Sequence, residues 1–276
     1  MPAGPLGLNA THGQETWARY VLENLRVTSA LLRGGARFVP IDGRVAHIPR
    51  VLTDGTAVFV GELAEIPSSA PTGDDVVLTP LKLANNVVLS SEAISDSPVG
   101  ELDQVGNALA RSIATAIDAR LFSSAVATAI APAGLLPSIP LAVGPISIDS
   151  IIRAIGSAEA VGGKATTVWI NPQDLTDLRL VKTAPTGSNA PVLQPDLQEP
   201  GAVRIGGALL VSTPALPVGT AVVGDASQIL VGVRKDISVE FSVHARFTAD
   251  GTVARVTART AWGLNDSRGL VKIAVA

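Results

Sequence analysis

The chain has 276 residues, with 21 basic against 24 acidic side chains and no cysteine. Its net charge of -3 excludes the basic footprint of a dedicated nucleic-acid binder, and the lack of cysteine excludes disulfides, thiolate metal sites and a cysteine nucleophile. Charged residues make up only 16% and apolar residues 47%, which leaves too few charges to cover a monomer of this size. Two interpretations follow. Either much of the surface is buried against other copies of the chain, or the protein is an alanine- and valine-rich soluble enzyme.

The stretch 121–148 carries no charge and is long enough to span a bilayer. Four prolines interrupt it, and they would leave backbone groups unsatisfied in lipid. We therefore expect a helix end followed by a linker, and no membrane partner. The first residues lack the basic and apolar regions of a signal peptide, so we expect no export.

The first third of the chain predicts an arm followed by a long β excursion. Residues 1–34 begin rich in proline and glycine and then predict a short helix over 17–25. Short β-prone runs separated by turn residues follow, and we predict strands at 45–52, 56–60 and 76–89. An isolated hairpin is marginal in water, so this excursion needs a partner surface on its own core or on a neighbouring copy.

The middle of the chain predicts three helices. The longest runs from 98 to about 126 with Ser97 as N-cap, an apolar stripe on one face and polar residues including Asp118 on the other. A second helix is predicted over 147–160, and a third begins with Asn171 as N-cap. A loop is expected over 182–201, and strands at 165–170, 208–213, 221–223 and 229–233.

Strict alternation over 237–248 followed by Asp250-Gly251 predicts a terminal β-hairpin with a two-residue turn. That turn sets Phe247 against Ala254, Val243 against Ala258, Val239 against Trp262, Arg259 against Ser242 and Arg246 against Arg255. Like charges facing each other across strands are destabilising unless an acidic group lies over them. The arginines then either meet a neighbouring carboxylate or phosphate, or extend into solvent.

The sequence offers no catalytic constellation. The three histidines, His12, His47 and His244, form no paired metal spacing, and no G-x-S-x-G elbow is present. Gly162-Gly163-Lys164 lacks the first glycine of a P-loop and its magnesium-binding hydroxyl, and no G-x-G-x-x-G opens a helix. We predict no catalytic residues, no metal site and no cofactor.

The order of these parts resembles a known family. The matching segments are G-E-L-A-E-I-P at 61–67, L-K-L-A-N-N-V-V-L-S-S-E-A-I-S-D-S at 81–97, W-I-N-P at 169–172, V-G-D at 223–225 and A-D-G-T at 249–252. Together they resemble the major capsid proteins of tailed bacteriophages, with the Hong Kong 97 capsid fold, over about residues 15–276.

The resemblance implies an α+β fold of four parts: an N-terminal arm at 1–37, an extended E-loop at 38–84, a peripheral domain with a spine helix at 85–130 and 230–276, and an axial α/β domain at 131–229. It also implies a major capsid protein of a tailed double-stranded DNA phage. Such a protein assembles into hexamers and pentamers of an icosahedral shell, in the cytoplasm of the host bacterium. In the family the E-loop lies across the adjacent subunit, which would supply the missing partner surface.

Some relatives link an E-loop lysine to an asparagine of a neighbour, but lysine is absent here from Arg33 through Leu81. We therefore expect a non-covalent shell, with a decoration protein as an optional support. The sequence leaves no room for a long N-terminal scaffolding segment, so we expect separate scaffold and portal proteins. We also expect the DNA to be held by confinement. The residues expected to make intersubunit contacts are charged and lie in the excursion or the terminal hairpin: Arg44, Arg50, Glu62, Asp74, Asp75, Arg246, Arg255 and Arg259.

Two alternatives stay open at this point. An encapsulin, a bacterial compartment with the same fold, would enclose enzymes instead of a genome. A soluble α/β hydrolase-like enzyme with an unrecognised serine or aspartate site belongs to a different class altogether.

Overall fold

A computed structural model of the protein describes residues 28–90, 101–182, 191–193, 203–234 and 238–275. The predicted helix at 17–25, the Ser97 cap and most of the loop at 182–201 lie outside these residues. The described helices are α1 (Ala30–Arg33), α2 (Glu101–Leu121), α3 (Ile148–Ala160) and α4 (Pro172–Leu180). The strands are β1 (Arg37–Ile41), β2 (Ala46–Thr53), β3 (Thr72–Leu78), β4 (Leu81–Ser90), β5 (Leu141–Val143), β6 (Thr167–Ile170), β7 (Arg204–Ile205), β8 (Ala208–Ser212), β9 (Thr220–Gly224), β10 (Ile229–Arg234), β11 (Ser238–Arg246), β12 (Gly251–Leu264) and β13 (Leu270–Ala274).

A five-stranded sheet forms under the long helix α2. Its order is β1-β10-β12-β11, and β4 pairs with β12. The parallel pair β1–β10 joins an early strand to a late one, while β4 runs antiparallel to β12 along ten paired positions. Apolar residues spaced four apart on α2 are buried against this sheet: Leu109, Ile113, Ile117 and Leu121.

The long helix ends at Leu121, earlier than the predicted position 126. The chain turns back there, and the Leu135 N–H donates to the Leu121 carbonyl oxygen at 2.8 Å. The Arg120 side chain braces the same turn, because its Nε donates to the Pro132 carbonyl oxygen at 2.8 Å. A helix end followed by irregular chain is what the four prolines predicted, but residues 141–143 form β5, which pairs with β13. None of the described helices is long and apolar enough to cross a membrane.

A six-stranded sheet of order β5-β13-β9-β6-β8-β7 forms the second layer, packed with α3 and α4. The Ser147 side chain accepts from the Ser150 N–H and the Ser150 hydroxyl accepts from the Ser147 N–H, so α3 begins with a capping box. The Asn171 side chain accepts from the Gln173 N–H and caps α4. Both helix starts confirm the predictions.

Trp169 of β6 joins the two layers. Its side chain is fully buried, its ring centroid lies 6.0 Å from that of Phe122, and its Nε1 donates to the Ala30 carbonyl oxygen at 3.1 Å. The backbone of Gly34 passes so close that an added Cβ would lie 2.6 Å from the indole. Only glycine fits at that crossing.

Asp118 lies in this junction, although the helix pattern placed it on the polar face. Its Oδ1 accepts from the Ser29 hydroxyl at 2.5 Å and its Oδ2 from the Ala30 N–H at 2.7 Å. Burial raises the pKa of the Asp118 carboxyl, while the hydrogen bonds from Ser29 and Ala30 oppose that rise. The carboxyl therefore ties α1 to α2, a contact that the helix period alone does not reveal.

Two strand predictions are wrong. Residues 56–60 form no strand, since β propensity without a partner strand does not fix the backbone. The region 76–89 is two strands, β3 and β4, divided at Thr79-Pro80, and proline cannot donate to a ladder.

The predicted register of the terminal hairpin is also wrong. Glu240 lies opposite Arg255, and Phe241 lies opposite Ala254. A 3₁₀ turn over Phe247–Ala249 takes up residues that the two-residue turn assigned to a strand, and Asp250 has a φ of 44°. The register moves by an even number of residues, so the faces of the strands are conserved while Arg246 no longer faces Arg255.

Candidate assembly interface

A long hairpin extends from the five-stranded sheet. Among the described residues, its two strands, β2 and β3, pair only with each other, antiparallel with Ala46 opposite Leu78 and Arg50 opposite Asp74. We call β2, β3 and the connecting residues 54–71 the outer hairpin. Every residue from 51 to 75 is exposed, so this part of the chain has no core of its own.

The connecting residues expose large apolar side chains. Phe59 is 109% exposed, Leu63 101% and Ile66 76%. A hydrogen bond from the Ala64 N–H to the Gly61 carbonyl oxygen closes the turn that carries Leu63, and the Ser69 hydroxyl accepts from the Thr56 N–H at 2.8 Å. Apolar groups gathered at the end of a long projection are typical of a surface that another molecule covers.

Arginine side chains fix the base of the outer hairpin on the body. The Arg50 Nη1 donates to the carbonyl oxygens of Leu264 at 3.2 Å and Asn265 at 3.0 Å, and its Nη2 lies 2.8 Å from Asp74. The Arg268 Nη2 donates to the Leu52 carbonyl oxygen at 3.1 Å. Together these bonds hold β2 against the turn between β12 and β13.

A small apolar cluster also packs against the strands of the outer hairpin at this base. Ile41, Leu78, Leu230 and Ala261 are buried there. Because Arg50 donates to Asp74, the pKa of the Asp74 carboxyl lies below its usual value. The direction in which the outer hairpin leaves the body is therefore set by contacts within one chain, whereas its far end makes none with the core.

The predicted contact residues fall into two regions. Arg44, just before β2, and Glu62 of the outer hairpin are exposed, and the Asp75 carboxylate lies 3.5 Å from the Nδ1 of His47. Arg50 and Asp74 are brought together, but as a pair within one chain. An intersubunit role for these side chains stays a prediction.

In the terminal hairpin, Arg255 forms an ion pair with Glu240, so the carboxylate expected over it comes from its own neighbouring strand. Arg246 is exposed at the end of β11. Arg259 is half-buried on β12, opposite Lys82 in the register with β4. The structure does not bring Arg246 and Arg255 together, because the register differs from the predicted one.

The apolar residues at the end of the outer hairpin escaped the sequence reasoning, which chose charged residues alone. Their signal is present in the sequence, since Phe59, Leu63 and Ile66 lie in a turn-rich segment that cannot bury them in a strand pair. Among the described residues, no group of three or more histidine and acidic side chains could hold a metal ion.

Comparison with known proteins identifies the architecture. Residues 13–275 match the family model described as the phage capsid family. No curated protein sequence matches the chain.

Solved structures share the fold over most of the chain. A structure of Microbacterium phage Oxtober96 is 19% identical with a TM-score of 0.70, and covers 90% of this chain and 91% of its own. The capsid of an empty GTA particle computed with C5 symmetry is 17% identical with a TM-score of 0.72, covering 90% of each chain. Mycobacterium phage Bobi gives 21% identity and a TM-score of 0.69, again covering 90% of each. Neither the encapsulin nor the hydrolase alternative is favoured.

Proposed function

The chain belongs to the phage capsid family and is a major capsid protein, and we propose that its outer hairpin is the element that joins neighbouring subunits in the shell. In the terms of the predicted division, the outer hairpin is the central part of the E-loop at 38–84. The arm at 1–37, the peripheral domain at 85–130 and 230–276 and the axial domain at 131–229 complete the subunit. Its role is structural, without a reaction to catalyse.

One observation carries this proposal, namely the full exposure of Phe59 and Leu63 at the end of a projection that has no core. Burying an apolar side chain of that size contributes about 1.5 to 3 kcal/mol, and an unassembled subunit forgoes this contribution. Repeated around closing rotation axes, one such heterologous contact produces a closed shell. The low charge content of the chain agrees with a surface that is largely covered after assembly.

The test is the double variant Phe59→Asp, Leu63→Asp. We expect a subunit that folds normally, because neither side chain touches the core, but fails to form particles in sedimentation and electron microscopy. The matched control Phe59→Leu, Leu63→Met keeps both positions apolar and assembles. Normal particle yield from the aspartate variant would remove the outer hairpin from the assembly contacts.

The terminal arginines belong to the same proposal. Arg246, Arg255 and Arg259 act between subunits, with Arg44, Arg50, Glu62, Asp74 and Asp75 contributing at the outer hairpin. Replacing the three terminal arginines with alanine lowers particle yield if these side chains meet a neighbour. Wild-type yield from that variant, with unchanged subunit folding, argues against the assignment.

The shell assembles in the host cytoplasm without covalent links, since the hairpin region offers no lysine. Separate scaffold and portal proteins direct its assembly, a decoration protein is an optional addition, and the genome is held by confinement. Denaturing electrophoresis of purified particles tests the first point, and a ladder of linked subunits contradicts it. Correct particles from this chain alone contradict the need for a scaffold.

A further inference from the structure

An open pocket lies between α1, α4 and β8. Its volume is about 280 Å³. Its apolar lining includes Leu175, Leu209 and Val211. Pockets for cofactors and drug-sized ligands span roughly 300 to 1,000 Å³, so this pocket suits one large side chain better than a cofactor.

Two arginines edge this pocket. Arg33 is the last residue of α1, and its Nη2 lies 3.4 Å from the Ser212 carbonyl oxygen. Arg179 lies in the last turn of α4. Both are exposed, and within the described part of the chain neither forms an ion pair with a carboxylate. The pocket thus combines apolar side chains in its lining with two cationic groups.

The end of the outer hairpin has the complementary chemistry. Between Val51 and Gly73 the acidic residues are Asp54, Glu62 and Glu65, and no basic residue occurs. Phe59 and Leu63 extend from the same segment into solvent. An exposed aromatic ring flanked by carboxylates matches an apolar pocket flanked by guanidinium groups, which bind carboxylates with two parallel hydrogen bonds.

We propose that the pocket edged by Arg33 and Arg179 receives the end of the outer hairpin of a second copy of this chain. The inference rests on the proposed role of the outer hairpin between subunits and names its receiving surface. Phe59 packs against the apolar lining, and Glu62 and Glu65 pair with the two arginines. The chain's own Phe59 is fully exposed, so the hairpin of the same subunit does not occupy the pocket.

Thiol cross-linking tests the contact directly, because the chain contains no cysteine. We assemble particles from a mixture of two kinds of subunit. One kind carries Ala64→Cys, and the other carries Thr176→Cys, which lies beside Arg179 on the exposed face of α4. A short bis-maleimide reagent is expected to link the two kinds of chain in particles. Ser157→Cys, exposed on α3, replaces Thr176→Cys as the control. Equal or stronger linking to the control position overturns the proposal.

Charge reversal tests the energetics. We expect Glu62→Lys, Glu65→Lys and Arg33→Glu, Arg179→Glu each to lower particle yield more than about tenfold, and the four changes together to restore it. Because Arg33 also lies near Asp118, Arg179→Glu alone, matched with Glu62→Lys, keeps the test informative if the double arginine variant fails to fold. Absence of rescue in both combinations overturns the proposal.

The outcomes separate this inference from the proposed function. If Phe59→Asp, Leu63→Asp blocks assembly while neither cross-link nor rescue is found, the outer hairpin joins subunits at a different surface. If the aspartate variant assembles normally, both ideas fail together.

Discussion

The strands of the outer hairpin and those of the six-stranded sheet are stabilised in different ways. All four residues of β6 are buried, and its Trp169 contacts both layers of the body. The outer hairpin is paired along β2 and β3 but exposed throughout 51–75. The sheet is stabilised by burial within one subunit, whereas the hairpin has backbone pairing and an anchored base but lacks burial. Substitutions in the two regions should therefore separate folding from assembly.

The largest effect is expected for Trp169→Ala. Removing a fully buried indole leaves a cavity between the layers and costs about 3 to 5 kcal/mol in the free energy of unfolding of the unassembled subunit. Phe59→Ala is the matched control, and we expect it to leave that free energy unchanged, because the ring is exposed before assembly. Urea unfolding of both subunits measures the contrast. Similar losses for the two variants would mean that the hairpin contributes to the subunit core.

The next effect concerns the anchored base. Arg50→Ala leaves the carbonyl oxygens of Leu264 and Asn265 without their donor, and we expect a loss of about 1 to 3 kcal/mol. The loss should be local. Hydrogen exchange of the amides in β2 and β3 should increase while that of β6 stays unchanged. Arg44→Ala serves as the control, because it removes an exposed arginine that does not bond to these two carbonyl oxygens, and we expect it to change neither stability nor exchange. An equal increase in amide exchange in β2, β3 and β6 after Arg50→Ala would contradict a local role for Arg50.

A smaller, pH-dependent effect is expected at Asp118. Its pKa is raised in the folded state above the usual 3.8, so the folded subunit binds this proton more readily than the unfolded chain. Stability contributed by this group therefore rises as the pH falls from neutral toward 3.8. Asp118→Asn removes that slope, and the difference in unfolding free energy between wild type and variant measures it across the pH range.

Other carboxyls contribute a pH dependence of stability with the opposite sign, so wild type must be compared with the variant. Hydrogen bonds from Arg50 and Arg268 lower the pKa values of Asp74 and Asp266, so their contributions are lost only below 3.8. Both groups are present in wild type and in Asp118→Asn, and their effects cancel in the difference. If the unfolding free energy of wild type instead increased relative to that of Asp118→Asn as the pH rises, the raised pKa of Asp118 would be contradicted.

The smallest effect is expected for Glu240→Gln. The pair of Glu240 with Arg255 is exposed on both sides, and exposed pairs contribute about 0 to 1 kcal/mol. Thermal unfolding of the subunit should be nearly unchanged. A loss comparable to that of Arg50→Ala would show that the edge of the five-stranded sheet depends on this ion pair.

The sequence predictions that succeeded depended on residues that lie close together in the sequence. The caps at Ser147 and Asn171 and the apolar stripe of α2 each depend on residues within a few positions of one another, and each is confirmed. The predicted fold class, the α+β capsid fold, is also confirmed.

One local turn and several contacts between distant residues account for what was missed. The register of the terminal hairpin depends on the 3₁₀ turn before Asp250, whereas the Asp-Gly pattern predicted a two-residue turn. Arg50 belongs to the anchored base only because the turn at Leu264 lies beside it in space. The burial of Asp118 similarly depends on Ser29, far away in sequence. Periodicity describes which face a residue occupies, but not which distant segment covers that face.

The parallel pairing of β1 with β10 has a consequence for how the chain is made. During synthesis β1 emerges about 190 residues before the strand beside which it finally lies, so the sheet closes late and folding is slow for such non-local pairings. Until then β1 and β4 present open edges, and the apolar end of the outer hairpin is already translated. A nascent subunit is therefore most vulnerable to premature association just before its last forty residues appear, and a lower translation temperature or a bound chaperone should raise the yield of assembly-competent protein.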